Sequence, residues 1–276
     1  MKNLTIKDYS ITHKSFELMY DESLELYHTQ FDDWERVEEY YQSSNYISHT
    51  DSKNSIFDKI YAQVKKYTIQ QKWKQILSCK KEVRSVLDIG CGTGDFLVYA
   101  KQIGLQTKGV EPNTKAQQLA KEKSIDVVST FAELPNQKYD VITLWHVLEH
   151  VPNYDEYIVQ LKQLLNPDGL LIIAVPNFNS YDAKYYQNFW AAWDVPRHIW
   201  HFSKKAVQQI VSKHGFQLIQ IKPMYFDAFY ISLLSEEYKT ESKNPIKAFS
   251  IGLLSNIKAF FSKEYSSNTF FYKKLS

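Results

Sequence analysis

SVLDIGCGTGDF, Ser85 to Phe96, joins a run of buried-type strand residues to three glycines, Gly90, Gly92 and Gly94, and then to the start of a helical pattern. Glycines in that place let the chain turn tightly at the carboxyl edge of a sheet and let a ligand approach the backbone closely. Glu111 comes about 20 residues later, at the end of the next strand in KGVEPN, where a carboxylate can accept both hydroxyls of a ribose. A dinucleotide-binding turn wants G-x-G-x-x-G with the pyrophosphate on the helix N-terminus. Here the spacing is G-x-G-x-G and Asp95 follows the third glycine, so a bound anion would meet a carboxylate. Asp88, two residues before Gly90, adds a second negative charge suited to a cofactor with cationic groups.

Outward from this turn the pattern alternates. Strands are expected at Ser85 to Ile89, Thr107 to Glu111, Asp126 to Thr130, Tyr139 to Trp145, Leu170 to Val175 and Phe216 to Pro223. Helical stretches at Phe96 to Gln102, Lys115 to Glu122, Tyr154 to Leu165 and Lys205 to His214 supply crossovers of the length that parallel pairing requires. Such a series closes as an α/β fold with a doubly wound, mostly parallel seven-stranded sheet. Ile56 to Leu77 is helical, with Ile56, Ile60, Val64, Tyr67 and Ile69 at helical spacing. Ala228 to Tyr238 and Ile246 to Phe261 read as helices before a last strand in NTFFYKKL. At the other end KDYSIT, SFELMY and SLELYHTQ alternate with period two and read as short antiparallel strands, and DDWERVEEYYQ from Asp32 as a helix.

The motif LDIGCGTG, Leu87 to Gly94, resembles that of the class I S-adenosylmethionine-dependent methyltransferases, and the resemblance extends over roughly Ile69 to Pro223. It implies a Rossmann-like methyltransferase core with S-adenosyl-L-methionine as cofactor. By that resemblance the glycine loop, with Cys91, contacts the methionine part of the cofactor, and Glu111, followed by Pro112, holds the ribose. Ala132 and Glu133 lie beside the adenine, and Leu144 and Trp145 complete the cofactor set at the end of the fourth strand. Many relatives carry Asp before that alanine; here Phe131 stands there. DVITLWHVLEHVPN, Asp140 to Asn153, is similar to the corresponding segment of ubiquinone-biosynthesis type O-methyltransferases and sugar methyltransferases. Beyond its core the chain resembles a bacterial group whose N-terminal strands often carry cysteine pairs like a zinc ribbon. SFELMYDESLEL, Ser15 to Leu26, holds no cysteine, so any zinc-binding role there is lost. The segment Tyr40 to Asp51 also recurs in that group.

Two polar clusters follow strands on the sheet's carboxyl side, where ligands of such folds bind. His146, Glu149 and His150 come after the fourth strand. Histidine titrates near neutral pH and can take a proton from an acceptor hydroxyl or amine, so His150 and His198 are the candidate proton acceptors, with His146 behind them. WAAWDVPRHIWHF, Trp190 to Phe202, follows the fifth strand, and Trp190, Trp193, Asp194, Arg197 and His201 are the candidate acceptor-binding residues. The competing reading makes Arg197 the partner of Asp194 and the tryptophans core. His198 and His201 have no third ligand at metal spacing, so no metal is expected.

Composition bounds the partners. Hydrophobic residues at 44% and charged residues at 23% exclude wholesale disorder, and 15% aromatic content asks for burial or a ligand. A net charge of +2 gives no electrostatic case for nucleic acid. Two cysteines, Cys79 and Cys91, build no disulfide framework, which fits a reducing cytoplasm. MKNLTIKDYS lacks the apolar core of a signal peptide, and no apolar run is long enough to span a bilayer. The expected organisation is an N-terminal cap over 1–55, a cofactor-binding core over 56–227 plus 267–276, and a helical insertion over 228–266. The insertion's stripe of Ile246, Phe249, Leu253, Ile257 and Phe260 must pack somewhere, as a lid over the acceptor or as a homodimer contact. Over the whole insertion the lysines exceed the acidic residues by one, too little to expect stable membrane association. The function these features favour is methyl transfer to an O, N or C nucleophile of a small metabolite, a sugar or an aromatic. The alternatives are a cofactor-binding module without transfer activity and, further off, an NAD-dependent dehydrogenase.

Overall fold

The computed structural model describes residues 2–31 and 56–275. The helix expected from Asp32 and the segment Tyr40 to Asp51 lie outside the described residues. Three short strands, β1 (Leu4–Lys7), β2 (Ser15–Asp21) and β3 (Leu26–Thr29), are followed by α1 (Ile56–Cys79). Then come β4 (Ser85–Ile89), α2 (Asp95–Gln102), β5 (Gln106–Val110), α3 (Thr114–Glu122), β6 (Val127–Val128), β7 (Tyr139–Trp145) and α4 (Tyr154–Leu164). The chain continues through β8 (Leu165–Pro176), α5 (Tyr181–Tyr186), β9 (Trp200–Phe202), α6 (Lys204–Ser212) and β10 (Phe216–Pro223). It ends with α7 (Asp227–Thr240), α8 (Pro245–Ser262) and β11 (Ser267–Lys274).

The large sheet has seven strands in the order β10-β11-β8-β7-β4-β5-β6, as the alternating pattern requires. Strands β4 and β5, β4 and β7, and β5 and β6 pair in parallel. The chain winds outward from β4 to β6 and then returns to β7 on the other side of β4. The carboxyl ends of β4 and β7 therefore flank the switch point at which such folds bind ligands. The run Leu170 to Val175 in β8 is buried on both faces, which explains why it is continuously apolar rather than alternating. Asn113, Ser180, Ser203 and Asn244 cap α3, α5, α6 and α8 by accepting a backbone N–H from the first turn, and Pro245 opens α8.

The N-terminal strands pair antiparallel in the order β1-β2-β3-β9, a four-stranded sheet of which sequence patterning found only part. In KDYSIT only Lys7 belongs to a strand, as the end of β1, and the residues after it form a turn. The Asp8 carboxylate accepts from the backbone N–H groups of Ser10, Ile11 and Thr12, which competes with strand pairing.

The chain divides into two compact units. One comprises Met1–Gln42, His146–Ile158 and Ile173–Phe270; the other comprises Ser43–Trp145, Val159–Ile172 and Phe271–Ser276. In the second unit the core runs from Trp73 and Ile76 of α1 through Val86, Leu97 and Val141 to Ile172 and Phe271. Trp73 stacks on Phe96 at 4.8 Å. Trp73 and Ile76 anchor α1, whereas Tyr67, one of the residues that carried its sequence pattern, is half exposed. In the first unit Ile6, Phe16, Leu18 and Tyr27 share a core with Trp190 and Trp193 and with Ile231 and Ile251 of the two late helices.

That shared core sets which face of α8 is buried. Its buried face is made of Ala248, Ile251, Gly252, Ser255 and Ala259, and the apolar stripe Ile246, Phe249, Leu253, Ile257 and Phe260 points outward. A Cβ on Gly252 would stand 2.9 Å from the Phe229 Cα, so α7 and α8 approach at a distance only glycine permits. Gly252→Val is expected to lower stability by about 1–3 kcal/mol through overpacking. Thermal unfolding checks this, and an unchanged midpoint would contradict the close approach.

Candidate functional site

In the second unit the glycine loop is built from backbone that side chains disfavour. Gly90, Gly92 and Gly94 have φ of 67°, 53° and 77°, and the N–H groups of Gly90 and Cys91 donate to the Val110 carbonyl. β5 passes so close beneath the loop that a Cβ on Gly109 would lie 2.5 Å from Cys91 Sγ. Burial pushes the Cys91 thiol up, so it stays protonated.

Asp88 and Glu111 flank this loop as the sequence indicated. The Thr143 hydroxyl on β7 donates to Asp88 Oδ1 at 2.5 Å. Burial raises the Asp88 carboxyl to about 7; the Thr143 bond and the Lys72 charge pull the other way, and Glu111 adds repulsion. Glu111 takes the Gly92 N–H at 2.8 Å on one oxygen and the Asn113 N–H at 2.9 Å on the other, which fixes its orientation across the loop. Each oxygen keeps further acceptor capacity. Burial raises Glu111 as well, against those two bonds.

Asp95 pairs with Lys65 and Lys123, whose charges overcome burial and hold it low, so the helix N-terminus carries a carboxylate where a pyrophosphate would sit. Leu144 is fully buried and Pro112 exposed. Ala132 and Glu133 are exposed in the single 3-10 turn Phe131–Glu133 after β6. Trp145 closes β7 with its Nε1 buried and, among the described residues, without a hydrogen-bond acceptor. The Lys72 ammonium of α1 lies 3.7 Å from the Trp145 ring centroid. Sequence reasoning missed Lys72, since one lysine on a charged helix carries no periodic signal.

In the first unit His146 has φ of 57°, a left-handed conformation rare for a side chain of its size. Its Nε2 meets Asp227 Oδ2 at 3.0 Å and its Nδ1 meets Glu149 Oε1 at 3.3 Å. Burial alone would lower it, but the two carboxylates hold it up at about 10. The two carboxylates thus favour the imidazolium form of His146 at neutral pH. Asp227, 81 residues away, had no sequence signal.

His150 Nδ1–H donates to the Arg197 carbonyl at 2.9 Å, and His198 Nδ1–H donates to the Ala192 carbonyl at 2.8 Å. His198 Nε2 lies 3.8 Å from Asp194 Oδ2. Burial and the neighbouring His198 push His150 down to about 4, so it is neutral and a weak base. The two rings meet edge to face at 4.7 Å. Glu149 is buried, and its Oε2 has no hydrogen-bond partner among the described residues. Hydrogen bonding from His146 outweighs burial and keeps Glu149 low, hence ionised. Ligand atoms of Glu149, His150 and His198 lie within 4.8 Å of one another. His201, the histidine nearest His198 in sequence, is not in this group.

The acceptor-binding candidates have other partners. Trp190 and Trp193 are core, with indole N–H groups donated to Asp182 at 2.8 Å and to the Gln187 carbonyl at 2.9 Å. Arg197 forks onto Asp194 and reaches the Ser10 hydroxyl at 2.9 Å. Burial would raise Asp194, but Arg197 holds it low. The Thr29 hydroxyl donates to the His198 carbonyl, so His201 Nε2–H donates to Thr29 Oγ1. Burial then pushes His201 far below its ordinary value. The side chains of Trp190, Trp193 and His201 are enclosed and bonded within this unit. Asp182 also accepts from the Ser255 and Ser266 hydroxyls at 2.6 Å each. Asp182→Ala should cost about 2 kcal/mol by orphaning buried donors. Denaturant unfolding reads this, and a loss below a few tenths would mean the network carries no load.

A Rossmann-like sheet whose glycine loop is flanked by Asp88 and Glu111, with a carboxylate on the following helix, defines a class I methyltransferase rather than a dinucleotide-binding enzyme. The chain belongs to that family: the model described as "Methyltransferase domain" matches residues 57–221. Among curated proteins it is 32% identical over 111 residues to a "Ubiquinone biosynthesis O-methyltransferase" of Rhodopseudomonas palustris, covering 37% of this chain and 44% of that one. A protein of the same description from Bradyrhizobium diazoefficiens is 33% identical over the same shares. The match spans less than half the length of these relatives.

Among solved structures, magnesium protoporphyrin IX methyltransferase from Synechocystis has a TM-score of 0.54 at 16% identity, covering 89% of this chain and 98% of that one. A putative sarcosine dimethylglycine methyltransferase from Galdieria sulphuraria also has a TM-score of 0.54, at 15% identity, covering 76% and 86%. Both share the fold.

Proposed function

We propose that the chain transfers the methyl group of S-adenosylmethionine to an oxygen of a small metabolite. The observation that carries this is the pair of buried carboxylates on the glycine loop, Asp88 and Glu111. Together they suit a ribose diol and a sulfonium and repel a pyrophosphate. Lys72 and the Trp145 indole N–H offer the cofactor's carboxylate a cation and a donor. The O-methyltransferase description of the curated relatives supports oxygen as the nucleophile over nitrogen or carbon. Transfer is an in-line displacement, so positioning is its main requirement, with a base to take the acceptor's proton.

His198 is the proton acceptor in this reading, since His146 is already protonated and His150 is a weak base. A second reading is favoured by the Glu149 Oε2 atom, which has no hydrogen-bond partner among the described residues: Glu149, His150 and His198 would hold a divalent cation, which would supply a Lewis acid for an acceptor hydroxyl. Nδ1–H bonds to carbonyls are the orienting contacts that ligating histidines require. Incubating the protein with S-adenosylmethionine and a cell extract, followed by mass spectrometry, tests transfer. A product heavier by one methylene is expected, and no methylated product from extract or from a panel of alcohols, phenols and sugars would leave a cofactor-binding module only. Chelation followed by metal addition separates the two readings, because the proton-acceptor reading is insensitive to both.

A further inference from the structure

The N-terminal sheet supplies no group to the chemistry proposed above, yet it holds the segment from Asp194 to Ile199 at two points. Thr29, at the end of β3, is fully buried. Its N–H donates to the Ile199 carbonyl at 2.9 Å, one residue past the β3–β9 ladder. Its hydroxyl donates to the His198 carbonyl at 2.7 Å and accepts the His201 Nε2–H at 2.9 Å. The second point is the turn after β1. There Arg197 Nη2 donates to the Ser10 hydroxyl at 2.9 Å, and that hydroxyl donates to Asp8 Oδ1 at 2.7 Å.

What these bonds hold sets where the His198 ring lies. The ring is buried, and its Nδ1–H bond to the Ala192 carbonyl orients it only if its own backbone is held too. Three successive carbonyls do this. That of Arg197 takes His150 Nδ1–H, that of His198 the Thr29 hydroxyl, and that of Ile199 the Thr29 N–H. The Ile199 N–H donates in turn to the Glu149 carbonyl at 2.8 Å, which ties this segment to the one that carries Glu149 and His150. Of the three carbonyls only that of His198 depends on a side-chain hydroxyl of the N-terminal sheet. A valine at position 29 would keep the shape and leave that carbonyl and the His201 N–H without this partner.

We propose that Thr29 is a positioning residue: its hydroxyl, supported by the Ser10–Arg197 bond, fixes the His198 backbone and with it the direction of the His198 ring. The inference rests on the part given to His198 in the proposed function, and it serves the proton-acceptor and the cation reading alike. Misplacing a reacting group by about 1 Å can cost roughly 10²-fold in rate, so a bond that adds little to stability can matter much to transfer.

Thr29→Val and Thr29→Ser test it, with Gly252→Val as a control that loses stability elsewhere. The ring signals of His198 are read by NMR in the full chain carrying isotope-labelled histidine, and are identified by their loss in His198→Ala. Methylated product is read by mass spectrometry with S-adenosylmethionine and cell extract. In Thr29→Val the His198 signals are expected to shift and product to fall at least about tenfold, with S-adenosylmethionine affinity near normal. Thr29→Ser keeps the hydroxyl and should restore both, and Gly252→Val should leave both in place. Ser10→Ala, at an exposed position, should move the same signals less and carries the test if Thr29→Val does not fold. Unmoved His198 signals in Thr29→Val, or in Ser10→Ala where it stands in, would overturn the proposal, as would no recovery in Thr29→Ser or the same shift in Gly252→Val. Full product from Thr29→Val while His198→Ala makes none would overturn it and leave the proposed function standing. Full product from His198→Ala would instead remove the reading on which it rests, and the proposal with it.

Discussion

His198→Ala is expected to lower turnover by about 10² to 10⁴ with cofactor affinity near normal. Asp227 and Glu149 keep His146 charged, and burial beside His198 keeps His150 neutral with a value of about 4. His198 donates its Nδ1–H to the Ala192 carbonyl at 2.8 Å, which leaves Nε2 for the acceptor's proton. Companion variants show how it works. If His198 acts alone as base, His150→Ala and Glu149→Gln fall much less than His198→Ala, and chelation changes nothing. If the three hold a cation, all three variants fall together and added divalent metal rescues the chelated wild type but not the variants. Full activity in His198→Ala would remove the residue from both readings.

Asp88→Ala and Glu111→Ala should each weaken S-adenosylmethionine binding by about 1–3 kcal/mol, roughly 5- to 150-fold, the cost of removing a charged hydrogen-bond partner. Asp88 adds a pH dependence that Glu111 shares only in direction. Its carboxyl is raised from an ordinary 3.8 to about 7 in the unliganded fold, so below that pH it holds a proton that a sulfonium must displace. Affinity should therefore fall about tenfold per pH unit below 7 and level off above it. The same raised value means that this group's ionisation lowers the stability of the unliganded fold progressively as pH rises from 3.8 to about 7, and the cationic cofactor restores it. Asp88→Asn should bind weakly with no pH dependence from this group. A wild-type affinity that is flat from pH 8 to 6 would show that the charge on Asp88 does not serve the ligand.

Much of the sheet was legible because its signals are local. β4, β7 and β10 match their sequence boundaries, and the run Leu170 to Val175 lies within the longer β8. Asp88, Glu111 and the three glycines meet because one turn and one crossover place them, which spacing alone encodes. What spacing does not encode was missed. β9 is three residues, Trp200–Phe202, recognisable only by its pairing with β3. Asp227 and Lys72 come to their sites from distant helices. Trp190 and Trp193 are buried with indole N–H groups bonded to Asp182 and to the Gln187 carbonyl, partnerships that richness in rings does not encode. The period of α8 marked its apolar stripe but not its buried face, where the small residues Ala248, Gly252 and Ser255 lie and Gly252 lets α7 approach closely.

Calorimetric titration of the purified chain with S-adenosylmethionine, and separately with NAD, tests the central claim most directly. One site of micromolar affinity for S-adenosylmethionine is expected, lost or weakened in Asp88→Ala and Glu111→Ala, with no heat from NAD. Tight NAD binding without S-adenosylmethionine binding, or S-adenosylmethionine affinity unchanged in both variants, would contradict the account.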